Sequence, residues 1–73
     1  MLRKRSIALI GHATSVALEA EFWTVLEAAA AARRISLAAL VAEIDAARGE
    51  RSLASACRLA ALRHAQDGRA AGQ

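Results

Sequence analysis

Between residues 12 and 18 the side chains alternate. Thr14, Val16 and Leu18 fall on one side, Ala13, Ser15 and Ala17 on the other. A period of two that includes β-branched Thr14 and Val16 predicts a short, half-buried strand. The period then changes. From Ala20 to about Arg33 the chain is rich in alanine, glutamate and leucine, and Phe22, Val25, Leu26 and Ala29 recur at helical spacing, which predicts a helix. Adjacent Phe22 and Trp23 cannot share one helix face, so Phe22 is the expected core residue and Trp23 is expected to pack at the strand or a subunit boundary. Glu19 and Glu21 at the start and Arg33 and Arg34 at the end complement the helix dipole.

After a break at Ile35, Leu37, Leu40, Val41 and Ile44 form an i, i+3, i+4, i+7 stripe. Ser36 is placed to cap this second helix and Arg48-Gly49 to close it. The connection is so short that the two helices must be neighbours. A third helix is expected from Ser52 through Leu53, Ala56, Cys57 and Ala60 to about Ala65, stopped by Asp67-Gly68 and followed by a disordered tail. Upstream, Ser6 to Ile10 could add a second extended segment ending at Gly11, or Arg3 to Arg5 could be a frayed arm. The organisation is therefore a basic arm or extra strand over 1–11, a folded unit over 12–65 and a tail over 66–73.

Length changes the picture. A chain of 73 residues buries too little surface for a large core of its own. A single cysteine and two separated histidines offer neither a disulfide nor a metal site, so oligomerisation is the remaining support. One strand per chain also leaves backbone groups unpaired. Antiparallel pairing with the same strand of a two-fold related copy is the simplest ladder. The expected fold is mainly α, with one short strand per chain in a homodimer.

Net charge +3 and a pI of about 10.5 favour a polyanionic partner. The charge is also segregated: residues 1–18 carry Arg3, Lys4 and Arg5 without an acid, and residues 19–32 carry Glu19, Glu21 and Glu27 without a base. No apolar run approaches the roughly 18 residues of a membrane span. The basic start followed by Ile7-Ala8-Leu9-Ile10 has the look of a targeting segment, but Gly11, His12, Thr14 and Ser15 break it at once. A lone cysteine fits a reducing compartment, so the expected location is cytoplasmic.

Nothing in the chain assembles a nucleophile, a base and an oxyanion site, so no enzymatic activity, cofactor or metal is expected. Cys57 is most simply a small buried hydrophobe. Glu43 and Asp45 point to different helix faces and suit salt bridges rather than paired acid–base work. His12, at the strand entrance, suits a structural role.

Thr14-Ser15-Val16-Ala17-Leu18-Glu19, Phe22-Trp23 and Ser36-Leu37-Ala38-Ala39-Leu40-Val41-Ala42-Glu43-Ile44-Asp45, with Arg5-Ser6, Gly11-His12 and Leu53-Ala54-Ser55-Ala56 around them, form a pattern. It resembles the ribbon-helix-helix superfamily, and within it short bacterial ribbon-helix-helix domain proteins, over roughly residues 5 to 62. The resemblance implies an intertwined homodimer whose paired strands form an intersubunit antiparallel ribbon in the DNA major groove, plus a third, C-terminal helix. By that mapping Ala13, Ser15 and Ala17 face the bases. Ser36 and Leu37, at the start of the second helix, look onto phosphates, a placement that free helix N–H groups support. Arg3, Lys4, Arg5, Arg33 and Arg34 are the side chains expected on phosphates.

Reading faces of this superfamily usually carry arginine, lysine, asparagine or glutamine, whereas two of these three residues are alanine. Alanine offers only apolar contact, such as to a thymine methyl. Phosphate-held, shape-driven binding is the expectation. The implied partners are a second copy, with or without higher assembly of dimers on DNA, and double-stranded DNA; no membrane partner is expected. The implied function is transcription regulation. The alternative is a dimeric adaptor or antitoxin-like partner docking through Leu53, Leu59 and Leu62 of the third helix.

Overall fold

The computed structural model describes the backbone of residues 1–71 and the side chains of residues 1–68. Two strands, β1 (Leu2–Leu9) and β2 (His12–Glu19), precede three helices, α1 (Ala20–Ala32), α2 (Leu37–Ala47) and α3 (Leu53–Ala71). The strands form an antiparallel hairpin whose register runs from Leu2 opposite Glu19 to Leu9 opposite His12.

This hairpin corrects the expectation of one strand per chain. β2 finds its ladder partner within the chain, because Ile10 and Gly11 reverse the backbone in two residues. Gly11 holds φ +86, the left-handed value that the second central position of a type II turn requires. A Cβ there would meet open space, so the need for glycine is conformational.

Alternation holds along β2: Val16 and Leu18 are buried and Thr14 is half-buried, while Ala13 and Ser15 are exposed and Ala17 is half-buried. β1 follows the same rule less visibly. Ile7 is buried and Leu9 half-buried on the inner side, while Lys4, Ser6 and Ala8 are exposed on the outer side.

In α1 the buried residues are Trp23, Leu26, Ala29 and Ala30, and Phe22 is only half-buried. Trp23, not Phe22, is thus the core aromatic. Its indole can go inside because Nε1 donates to the Arg3 carbonyl oxygen at 2.8 Å, which ties β1 to α1. The Arg58 guanidinium lies 5.8 Å from the centre of the Phe22 ring and covers it from the α3 side.

α1 ends in a Schellman arrangement: Arg34 N–H donates to Ala31 O and Ile35 N–H to Ala30 O, both at 3.0 Å. Arg34 supplies the left-handed residue, φ 57, where glycine is usual. Ser36 then caps α2, its Oγ accepting from Ala39 N–H at 3.0 Å, and Gly49 at φ +61 lets the chain leave it. Ser52 caps α3 in the same way through Ser55 N–H.

α3 does not stop near Ala65. It continues through Asp67 and Gly68 to Ala71, so 66–71 are helical rather than a loose tail, and residues 72–73 lie outside the described residues. One glycine costs a helix only about 1 kcal/mol.

The inner face of the hairpin and the three helices share one apolar core, with Leu18, Leu26, Val41 and Cys57 its largest fully buried side chains. Burial pushes the Cys57 thiol above its ordinary pKa, which fits the expected inert hydrophobe.

Candidate nucleic-acid interface

The outer face of the hairpin brings Lys4, Ser6 and Ala8 of β1 beside Ala17, Ser15 and Ala13 of β2. Apart from half-buried Ala17 these residues are exposed, and they leave a shallow face of small side chains with one ammonium. Ser6 and Ala8 were not among the residues singled out from the sequence. The signal for them was the same alternation, once Ile7 and Leu9 are taken as the inner positions of a strand.

Arg3 and Arg5 lie opposite Leu18 and Val16 and so belong to the inner side of the sheet. Their fates differ. Arg5 stacks over Trp23, 5.1 Å from the ring centre, and pairs with Glu27 at 2.5 Å. Its charge and its stem serve the β1–α1 contact. Arg3 stays exposed and, like Lys4 and Arg34, takes part in no ion pair among the described residues.

At the corner between α1 and α2, Arg33 grips Glu43 with both terminal guanidinium nitrogens, Nη1 and Nη2 donating at 2.5 and 3.0 Å. This bidentate bond holds the Glu43 carboxyl below its ordinary range and raises the Arg33 pKa. Arg34 is exposed immediately before the start of α2. Ser36 uses its hydroxyl on Ala39, so the earliest N–H groups of the helix, those of Leu37 and Ala38, point out along its axis. The Leu37 side chain itself packs against the core, and only its backbone is suited to an anion.

The two groups of residues adjoin. An open groove of about 580 Å³ runs between β1 and this corner, lined by Arg5, Ser6, Ile7, Ile35 and Leu37. Ser6 is the outer-face residue on its wall, so the groove joins the β1 edge of the hairpin, rather than its whole outer face, to the start of α2.

A family model described as a ribbon-helix-helix domain matches residues 2–65. The chain belongs to the ribbon-helix-helix domain family. No curated protein and no solved structure matches it. The ribbon-helix-helix match spans β1 as well as β2. Membership places the protein with domains of the DNA-binding regulator type. Among the described residues of this ribbon-helix-helix protein, no helix is long and apolar enough to cross a membrane.

Proposed function

We propose that this ribbon-helix-helix protein binds double-stranded DNA as a homodimer and regulates transcription in the cytoplasm. The observation that carries the reading is the outer face of the hairpin, exposed and small in side chain, whose β1 edge meets the start of α2 across a groove at Ser6. β2 has β1 on one edge and no strand on the other among the described residues. Pairing of the open edges of two copies gives a four-stranded sheet with the two β2 strands at its centre.

Dimensions then assign roles. At about 4.8 Å between strands the outer strands of such a sheet stand about 14 Å apart, wider than a major groove of about 12 Å. The β2 pair enters the groove and the β1 strands ride on its lips. Ala13, Ser15 and Ala17 let the backbone come close to the bases, with alanine methyls suited to thymine methyls and Ser15 to either kind of base edge. Lys4 on the lip meets phosphates, joined by Arg3, Arg34 and, just past the Ser36 cap, the first N–H groups of α2 at Leu37 and Ala38. Arg33 and Arg5 act indirectly, by holding α2 and β1 in place. Affinity comes mostly from phosphates and sequence preference is weak.

The test is an anisotropy titration of labelled duplex DNA at several salt concentrations, with sedimentation equilibrium beside it. Wild type should sediment as a dimer and bind with a steep salt dependence, and both Ser36→Asp and an Arg3→Ala/Lys4→Ala variant should bind more weakly. No binding at low salt would refute the DNA reading, and a monomer at all concentrations would refute the dimer.

A further inference from the structure

A second basic surface lies on the helical side of the molecule, where no strand residue contributes. Between the C-terminal half of α2 and α3, a depression of about 170 Å³ has an apolar floor, Ile44, Leu59 and Ala60, and a rim of three guanidiniums, Arg48, Arg51 and Arg63. Only one of the three is compensated: Arg48 binds Asp45 at 2.7 Å and donates to the Arg51 carbonyl oxygen at 2.6 Å. Arg51 and Arg63 are exposed and have no ion pair among the described residues. Next to it a depression of about 270 Å³ reaches Leu26 and Leu40 in the core, shares Ala60 and Arg63 with the first, and is also bordered by Arg33, which is held by Glu43, and by Asp67, so its free positive charge sits at the Arg63 end. The two form one furrow along α3.

We propose that this furrow docks an acidic amphipathic helix of another protein. A small-molecule site is usually one enclosed cavity of about 300–1,000 Å³, whereas two adjoining shallow depressions suit two apolar side chains projected by one rigid element. The guanidiniums of the rim would also suit phosphates, but a nucleic-acid backbone would leave the floor of Ile44, Leu59 and Ala60 without an apolar partner. The free charges of Arg51 and Arg63 select carboxylates along the flank of that element, and guanidiniums bind carboxylates bidentately. Docking here leaves the hairpin face open, so the same chain can hold DNA and a partner at once.

The experiment uses the full chain and a fluorescein-labelled helical peptide with leucines at i, i+3 and i+7 and glutamates on both flanks. Saturable binding should fall about tenfold or more in an Arg51→Glu/Arg63→Glu variant, as expected for loss of complementary charge. It should be unchanged in Lys4→Ala. Both arginines are exposed and have no ion pair among the described residues, so the charge-reversed chain should keep its circular dichroism. Equal binding of a peptide with the same composition but a scrambled leucine stripe would overturn the proposal, as would full binding to the charge-reversed variant. A change in the sedimentation of that variant without peptide would also overturn it, since the furrow would then be filled by a second copy. Loss of DNA binding in Lys4→Ala with peptide binding intact would separate the two surfaces.

Discussion

Arg5 and Lys4 are neighbours in the sequence and both basic, yet replacing them should have opposite signatures. Each phosphate neutralised adds about −0.9 to the slope of log K against log salt. Arg3, Lys4 and Arg34 are the interface cations without an ion pair among the described residues, so the proposed dimer offers six and the expected slope is about −5.4. Lys4→Ala removes two of them and should bring the slope to about −3.6. Arg5→Ala should leave the slope where it was, because its guanidinium is already held by Glu27 and Trp23. Its cost is in folding. A cation–π contact at a partly exposed site contributes roughly 0.5–1 kcal/mol and a surface ion pair roughly 0.2–1 kcal/mol. With about 1 kcal/mol lost, Tm should fall by about 4–8 °C in a domain of this size. The assays are anisotropy at four or more salt concentrations and calorimetric melting of the same preparations. A slope for Arg5→Ala as shallow as that for Lys4→Ala would refute the assignment of Arg5 to the β1–α1 contact.

Three further outcomes follow from the packing and the charges. Leu18 is fully buried, so Leu18→Ala should cost about 2–5 kcal/mol against a total of about 4–11 kcal/mol for a domain of this length; urea unfolding checks it, and a cost near zero would move Leu18 out of the core. Ser36→Ala removes the bond to Ala39 N–H and should cost about 1 kcal/mol, seen as a lower Tm without a change of m-value. Glu19, beside Arg58, and Glu43, beside Arg33, are both held below the ordinary carboxylate pKa of 4.5. Their contribution is complete above pH 4.5 and is lost as pH falls through the lowered values. The urea midpoint should therefore hold near neutrality and drop in acid, and a Glu19→Gln/Glu43→Gln variant should lose midpoint at neutral pH and show a flatter acid limb.

β2, α2 and the caps at Ser36 and Ser52 were legible in the sequence because each rests on a local signal, a period or a hydroxyl three residues ahead of an N–H. β1 was harder to see. Its inner positions include Arg3 and Arg5, whose charges read as a solvated arm until Trp23 and Glu27 supply a place for that of Arg5 and Trp23 a partner for the Arg3 carbonyl. The choice between Phe22 and Trp23 turned on the same contact, since a buried indole needs an acceptor and that acceptor is a carbonyl of β1. The basic residues of the candidate interface were legible as charge. Their division into free and paired was not, because Glu27 and Glu43 reach Arg5 and Arg33 across separate elements. The end of α3 was misplaced by the weight given to Gly68, which a helix tolerates.

The two-residue turn at Ile10-Gly11 has a kinetic meaning. A ribbon that must be made from two chains cannot form before they meet, so folding and association are a single second-order event and dilution returns unfolded protein. Here the ladder closes between adjacent segments of one chain, an event of about 1–10 μs for a hairpin. Refolding should be first-order and indifferent to protein concentration. Dilution of the proposed dimer should then release folded protomers, which keep their helices and hairpin and can exchange partners without passing through the unfolded state.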